Sequence, residues 1–295
     1  MIANTNTDTD VDTALRRFLD LREEEYRSLS TSLAREELEV FDSYYPKSLY
    51  LPPSGASGDR FRLRFARGYL RYIASELIRD RDRKPYVFDA GSGLGTESLL
   101  FATLGARVFS VDLKRERRKV AEKRRTFYEQ ALDIQLDIEF RTDSVFNIPR
   151  EPQFDYVWSN QSISHIDPAE DFVEMARDVL LPGGQLVVSD SNGNLLGRLA
   201  LLRRRGLKVH KTFKMGDTGE EVPYADERTF SFGQIQELLR KSGLDVVHAE
   251  CMGFLRGRTG EWVFRHLVQR LDRMPVLATN LGRLYVVAGR KPSES

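Results

Sequence analysis

The 295-residue sequence is poor in the residues that build metal sites and disulfides. It contains one cysteine, Cys251, and four histidines. A single cysteine excludes an intrachain disulfide, and the scattered histidines show none of the spacings that are typical of protein metal ligands. We therefore expect a chain that binds no metal.

The sequence also lacks a charge excess and a long apolar run. Its 45 Lys and Arg residues balance 44 Asp and Glu residues, which disfavours a dedicated nucleic-acid partner. No apolar run approaches the roughly 20 residues that a membrane-spanning helix needs. The polar, acidic start has neither the basic flank nor the apolar segment of a signal peptide. We expect a cytoplasmic protein without a membrane span, and the sequence leaves a homo-oligomer open.

Apolar residues are plentiful enough for a large core, at 41% of the chain. Residues 1–11 are rich in Asn, Thr and Asp and are expected to form a disordered tail. Residues 12–84 show helical spacing of apolar positions, interrupted by a stretch rich in Pro, Gly and Ser. They are interpreted as a helical N-terminal extension that serves as a lid over a ligand site.

From residue 85 the pattern changes to short apolar runs that alternate with helical stretches. The seven runs are YVFDA, RVFSVD, DIEFRT, FDYVWSN, QLVVSD, DVVHAE and RLYVVAG. Runs of this length with helices between them are typical of βαβ units. They predict an α/β fold with a doubly wound, mostly parallel seven-stranded sheet and helices on both faces.

The stretch YVFDAGSGLGTES joins the first strand to the first helix of this region. Gly91, Gly93 and Gly95 follow a strand that ends near Asp89. A dinucleotide-binding turn has the spacing G-x-G-x-x-G, whereas Thr96 stands here at the last glycine position. A carboxylate at Asp89 repels a diphosphate and attracts a cation, and S-adenosylmethionine (SAM) carries an amino group and a sulfonium. SAM is the favoured ligand, with a dinucleotide as the alternative.

The next three strands also end in polar residues. The second ends at Asp112, about 20 residues after the first glycine, where a carboxylate accepts hydrogen bonds from ribose hydroxyls in dinucleotide-binding proteins as well. The third is followed by Asp143 and Ser144, and the fourth leads into Asn160 and Gln161. Ligands of open α/β sheets bind at the carboxyl ends of the strands, so these residues are candidates for one site.

Several of these motifs together resemble the class I SAM-dependent methyltransferases, a family with a Rossmann-like fold. They are Asp-x-Gly-x-Gly-x-Gly at 89–95, Val-Asp-Leu at 111–113, Thr-Asp-Ser at 142–144, FDYVWSNQSISHI and LLPGG. The resemblance covers about 85–191 and 229–251. It implies transfer of a methyl group from SAM to an acceptor, with S-adenosylhomocysteine (SAH) as the second product. It also implies that the last strand, LYVVAG, is antiparallel.

The resemblance assigns a role to each motif residue. Asp89 and Gly91 would hold the amino acid portion of SAM, and Gly93 and Gly95 would shape the turn. Asp112 would bind the ribose, Leu113 would pack on the adenine, and Asp143 would meet the adenine amino group beside Ser144. Ser92 stands where relatives often have cysteine. The cofactor-binding candidates are thus Asp89, Gly91, Ser92, Gly93, Gly95, Asp112, Leu113, Asp143, Ser144, Asn160 and Gln161.

The acceptor must be recognised by segments outside the family core. Cap insertions are expected at about 192–228 and 252–283, the first with a basic amphipathic lid helix near 198–208, and they favour a small or lipid-like acceptor. His165 follows the fourth strand and is the candidate general base, although a structural role fits it equally well. The acceptor atom, O, N, S or C, stays open. RNA or protein acceptors, or a noncatalytic SAM-binding regulator, are the alternatives.

Overall fold

A computed structural model describes residues 5–44, 56–148, 150–151, 153–193, 210–214, 219–225, 228–252, 282 and 284–293. For residues 5–9, 56–67, 81, 210 and 252 the description is limited to the backbone. The chain divides into two units, residues 1–143 and 144–295. Each unit is described in turn.

In its described residues, the first unit contains three N-terminal helices followed by a β/α/β/α/β segment. Its elements are α1 (Thr5–Ser32), α2 (Arg35–Tyr44), α3 (Ala56–Asp80), a 3-10 turn (Arg81–Arg83), β1 (Tyr86–Ala90), α4 (Thr96–Thr103), β2 (Arg107–Asp112), α5 (Arg115–Leu132) and β3 (Ile138–Thr142). Strand β2 lies between β3 and β1, and all three are parallel. Asp89 is in register with Ser110 and Asp112 with Thr142, so the three strands end side by side.

The second unit contributes the other four strands of the main sheet and a separate hairpin. Its elements are β4 (Phe154–Asn160), α6 (Ala169–Val179), β5 (Leu180–Ser191), β6 (His210–Lys214), β7 (Glu221–Ala225), α7 (Phe232–Lys241), β8 (Asp245–Met252) and β9 (Leu284–Arg290). The strand order is β4-β5-β9-β8, with β4 and β5 parallel and β9 antiparallel to both neighbours. Strands β6 and β7 form a separate two-stranded sheet, and Tyr224 of β7 forms an isolated bridge with Ile166.

The predicted fold class is confirmed: the main sheet has seven strands and is mostly parallel. Strands buried on both faces explain why the sequence shows continuous apolar runs instead of alternation. In β4, for example, Tyr156, Val157 and Trp158 are all buried. The antiparallel last strand is also as expected.

The N-terminal helices differ in detail from the expectation. Helix α1 begins at Thr5 and Val11 is buried, so residues 5–11 belong to a helix and not to the disordered tail expected for 1–11. Helix α1 ends at Ser32, and α2 begins at Arg35. The Glu37 side chain accepts a hydrogen bond from the Ala34 N–H at 3.0 Å, which stabilises this new helix start.

Parts of both expected cap insertions lie outside the described residues. This applies to the lid helix near 198–208 and to 253–281, whereas the end of the first insertion forms the β6–β7 hairpin. No helix in the described part of the chain is both long enough and apolar enough to cross a membrane.

Candidate functional site

The glycine turn connects β1 to α4 and is held on the end of β2. The N–H groups of Gly91 and Ser92 donate to the Val111 carbonyl at 2.9 and 3.0 Å, and the Gly95 N–H donates to Ser92 at 2.9 Å. These bonds fold the turn back on itself. The first N–H groups of α4 have no partner within their helix, so this end can receive an anionic group such as a carboxylate.

Two of the glycines are required both by backbone conformation and by space. Gly93 and Gly95 have φ angles of 58° and 69°, a region that side chains disfavour. A Cβ atom on Gly95 would lie 2.7 Å from the Phe140 ring, and one on Gly93 would lie 3.0 Å from the Tyr44 ring. A residue with a side chain at either position would therefore disturb the turn.

Asp112 lies at the end of β2 and binds the turn directly. Its carboxylate accepts hydrogen bonds from the N–H groups of Gly93 at 3.0 Å and Lys114 at 2.9 Å. Arg117 of α5 forms an ion pair with it at 3.0 Å. Burial raises the pKa of the Asp112 carboxyl, and the Arg117 charge and these donors oppose that rise. A carboxylate in this setting can also accept hydrogen bonds from vicinal hydroxyls.

The Asp89 side chain is buried and does not face the solvent. It is 2% exposed, and its side chain accepts a hydrogen bond from the Ser98 hydroxyl at 2.5 Å. Burial, followed by the neighbouring Glu97 charge, raises the pKa of Asp89 to about 8. Without a cationic partner this group therefore holds its proton at neutral pH.

The third strand brings two further candidates to the same sheet edge. The Asp143 N–H donates to the Asp112 carbonyl at 3.1 Å. Asp143 and Leu113 are half-buried. Ser144 is the first residue of the second unit and is buried, with its hydroxyl accepting from the Phe146 N–H at 3.3 Å. Within the first unit, the structure thus brings Asp89, the glycine turn, Asp112 and Asp143 together.

In the second unit, Asn160 and Gln161 follow β4. Asn160 is in register with Ser189 of β5, and the Gln161 N–H donates to the Ser189 carbonyl at 2.7 Å. Gln161 has a φ angle of 50° and an exposed side chain. The next residue, Ser162, pairs through its hydroxyl with that of Ser159 at 2.7 Å. These bonds fix the direction in which the chain leaves β4 towards His165.

His165 is held by the β6–β7 hairpin. Its Nδ1 lies 3.0 Å from the Ala225 carbonyl oxygen, and its backbone carbonyl accepts from the Ala225 N–H at 2.9 Å. The imidazole stacks on the Tyr224 ring with 5.2 Å between centroids and 5° between planes. Because a carbonyl can only accept, Nδ1 carries the proton and Nε2 carries the lone pair. His165 therefore has the tautomer that a general base needs.

Asp190, near the end of β5, is a residue of this region that the sequence argument missed. It is 3% exposed, and its carboxylate accepts from the N–H groups of Ser164 at 3.2 Å and Ser191 at 2.6 Å. Burial raises the pKa of Asp190, and the His165 charge opposes that rise. The sequence signal was an acid at the end of an apolar strand, the same signal that singled out Asp89 and Asp112.

Arg117 was also missed as a residue of the glycine-turn region. The Arg117 guanidinium lies 4.5 Å from the centre of the Tyr44 ring and bonds Asp112 at the same time. Arg117 lies five residues after Asp112, in the first turn of helix α5. That helix is rich in basic residues, so in the sequence Arg117 resembled one of many solvent-exposed charges. In the described part of the chain, no cluster of His, Cys, Asp and Glu is suited to hold a metal ion.

Comparisons with known proteins agree with this geometry. Residues 88–188 match the family model described as a methyltransferase domain. The chain is 32% identical over 107 residues to an erythromycin 3''-O-methyltransferase of Saccharopolyspora erythraea, covering 35% of this chain and 34% of the relative. It is 30% identical over 125 residues to a ubiquinone biosynthesis O-methyltransferase of Xanthomonas campestris pv. campestris, covering 42% and 48%. The matches thus span a third to a half of these relatives' lengths.

A solved structure shows the same fold. The magnesium protoporphyrin IX methyltransferase of Synechocystis PCC 6803, crystallised with bound SAH, superposes with a TM-score of 0.54 at 14% identity. The superposition covers 85% of this chain and 94% of that one. The seven-stranded sheet with its antiparallel last strand and the match over residues 88–188 thus show that the chain has the Rossmann-like fold of the class I SAM-dependent methyltransferases and contains a region similar to their methyltransferase domain.

Proposed function

We propose that this protein transfers a methyl group from SAM to a hydroxyl oxygen of a small or lipid-like acceptor, with His165 as general base. The observation that carries the proposal is the hydrogen bond from His165 Nδ1 to the Ala225 carbonyl, which leaves Nε2 as the basic nitrogen.

The residues of the first unit fit SAM. Gly93 and Gly95 let the turn pack closely against the Tyr44 and Phe140 rings, where a Cβ atom would clash, and so give the turn its shape. Asp112 offers carboxylate oxygens to the ribose hydroxyls, and Asp143 offers its own to the adenine amino group. Leu113, half-buried beside them, supplies an apolar contact for the adenine. Asp89, Gly91 and Ser92 would hold the amino acid portion.

SAM, when bound, supplies an electrophilic methyl carbon on a positively charged sulfur. The protein must hold the acceptor in line with that carbon, and such positioning contributes ~7–11 kcal/mol in favourable cases. An alcohol or phenol oxygen is a weak nucleophile while it keeps its proton. His165 Nε2 accepts that proton as the oxygen–carbon bond forms, and the imidazolium later returns it to water. Asp190 accepts a hydrogen bond from the N–H of Ser164, the neighbour of His165, and in its ionised form it would stabilise the positive charge on His165 in the meantime.

The acceptor class is inferred from the hairpin and from the relatives. On the β6–β7 hairpin the Tyr224 ring stacks on His165, and the Phe213 ring lies next to the Tyr224 ring with 6.5 Å between their centroids. Flat apolar rings next to a base suit an acceptor with an apolar body and a reactive hydroxyl. The two relatives described above are named as an erythromycin 3''-O-methyltransferase and a ubiquinone biosynthesis O-methyltransferase. Asn160 and Gln161 are the candidates for polar contacts at the end of β4.

The test combines ligand binding with turnover. Calorimetry should show SAH binding to the purified protein, and SAH release from SAM should occur with at least one member of a panel of phenols, quinols and sugar alcohols. A His165→Asn variant keeps a side-chain N–H for Ala225 but has no base, so we expect kcat to fall ~10²–10⁴-fold with SAH affinity unchanged. Unchanged turnover of this variant at every pH would remove His165 as the base.

A further inference from the structure

The N-terminal helix α1 and helix α5 are joined by a fully buried ion pair. Arg124 of α5 and Glu25 of α1 are both 0% exposed. The guanidinium donates from Nε to Glu25 Oε1 at 2.5 Å and from Nη2 to Oε2 at 3.1 Å. This two-point geometry fixes the plane of the guanidinium. Tyr128 adds a hydroxyl donor to the same carboxylate at 3.4 Å.

The remaining edge of the same guanidinium binds the glycine turn. Arg124 Nη1 donates to the Leu94 carbonyl at 2.7 Å and to the Thr96 hydroxyl at 2.8 Å. These two acceptors flank Gly95, whose φ angle is 69°. Arg124 thus clamps the turn on both sides of Gly95, through a backbone carbonyl on one side and a side-chain hydroxyl on the other.

The one apolar side chain of the turn also lies among the N-terminal helices. Leu94 is 0% exposed and belongs to a buried cluster with Tyr26, Leu29, Phe41 and Val120. Three of these residues come from α1 and α2. The N-terminal extension therefore holds the turn by a side chain as well as through Arg124.

A buried ion pair is costly to form, and apolar residues of similar size commonly replace such a pair without loss of stability. A pair that only joined two helices would need no further partners. Here Nη1 is directed at the turn, while Nε and Nη2 hold Glu25. The arrangement suits a residue that must present two N–H groups in one fixed position.

We propose that Arg124, oriented by Glu25, is a positioning residue for the SAM-binding turn, so that helix α1 is part of the cofactor site. This inference rests on the proposed function, because it assigns the turn to SAM. If the hydrogen bonds of Arg124 to the turn are removed and the fold persists, we expect the turn to become more mobile and the affinity for SAM to fall.

The central variant is the double substitution Glu25→Met and Arg124→Met in the full-length chain. It fills the buried space with apolar side chains and leaves no unpaired charge. A second variant, Thr96→Val, removes one acceptor and keeps the ion pair, and Thr96→Ser restores the hydroxyl. The matched control is Glu37→Gln. Glu37 of α2 pairs with Lys123, the neighbour of Arg124 on α5, and so joins the same extension to the same helix.

Two readouts are measured, one of them without ligand. Hydrogen exchange of the backbone amides of residues 91–96 should accelerate at least 10-fold in the double variant, and the Kd for SAH from calorimetry should rise at least 10-fold. Thr96→Val should raise this Kd about 3-fold, Thr96→Ser should restore it, and Glu37→Gln should leave both readouts unchanged. In turnover, KM for SAM should rise while kcat at saturating SAM stays within 2-fold.

The outcomes separate the two proposals. A folded double variant with wild-type exchange rates and SAH affinity overturns the positioning role. If the wild-type protein itself binds no SAH, the proposed function fails, and the exchange rates of residues 91–96 still decide whether Arg124 clamps the turn. A double variant that does not fold leaves the decision to Thr96→Val: wild-type affinity and exchange in that variant would overturn the inference.

Discussion

Each carboxylate at the sheet edge has its own environment, and the environments differ more than the sequence suggests. Asp112 is surrounded by donors, including two backbone N–H groups and Arg117. Asp89 is bonded by two neutral donors, the hydroxyl and the backbone N–H of Ser98, and the nearby charges that shift its pKa most belong to two other acids. The surroundings of Asp112 suit a carboxylate that stays ionised and accepts hydrogen bonds. The surroundings of Asp89 suit a carboxyl group that gains or loses a proton when a ligand binds or leaves.

Asp112→Ala should weaken SAH binding by ~10- to 100-fold, because a buried charged acceptor for the ribose hydroxyls is lost. Calorimetry at one salt concentration measures the effect. Asp137→Ala is the matched control, since Asp137 is an exposed acid of the same unit that pairs with Lys84 at 2.9 Å. Equal affinities for the Asp112 variant and the wild type would contradict the ribose assignment.

Asp89 should release a proton when the ligand binds. Its pKa of about 8 means that it is mostly protonated at pH 7 in the free protein. An ammonium group nearby favours the carboxylate and lowers that pKa. We expect up to about one proton to be released per SAH bound at pH 7.

The proton count is obtained by calorimetry in phosphate and in Tris, whose ionisation enthalpies differ. In Asp89→Asn the released fraction should fall to near zero. Equal proton release by this variant and the wild type would show that the proton comes from another group.

The chain's secondary structure elements follow from their sequence patterns to different degrees. The seven strands of the main sheet and the helices between them were predictable because apolar runs bounded by glycines and caps are local signals. The β6–β7 hairpin was not, since its strands HKTFK and EVPYA are mostly polar or carry a proline. A pair of short, partly exposed strands is specified by its contact with His165 and Ile166, which no local pattern shows.

The same contrast holds for the candidate site. The glycine turn and Asp112 were predictable from spacing, because both sit at strand ends. Glu25 and Arg124 were not, since they are 99 positions apart and each looks like one charge among many on a helix. Charged residues on helices are mostly exposed, and only tertiary packing shows that these two are buried.

The hairpin should act as the support of the general base. Tyr224 stacks on His165, and its neighbour Ala225 holds Nδ1. Tyr224→Ala removes the stacked ring and lets the imidazole turn, so kcat should fall about 10-fold or more with SAH affinity unchanged. Tyr224→Phe keeps the ring and serves as the control, with kcat within 2-fold of wild type. Steady-state kinetics measures kcat, and calorimetry measures the SAH affinity. An unaltered kcat in Tyr224→Ala would show that the stacked ring is not needed to position His165.

At the scale of the whole molecule, buried acids should make the fold less stable as pH rises. Burial raises the pKa of Asp89, Asp112 and Asp190 in the folded chain. For such a group the unfolded state binds fewer protons than the folded state at intermediate pH, so the free energy of unfolding falls as pH increases. For Asp89 this interval runs from its unfolded pKa near 4 to about 8.

Asp89→Asn removes the Asp89 contribution and keeps a hydrogen-bonding partner for Ser98. A shift of one pKa unit corresponds to ~1.4 kcal/mol, so the variant should gain up to about 3 kcal/mol over wild type between pH 5 and pH 7.5. Urea unfolding of the ligand-free chain at both pH values measures the gain. Asp137→Asn is the control, because an exposed carboxylate should leave the pH dependence of wild type intact. Parallel pH curves for Asp89→Asn and wild type would mean that Asp89 is ionised in the folded protein, and then proton release on SAH binding should also be absent.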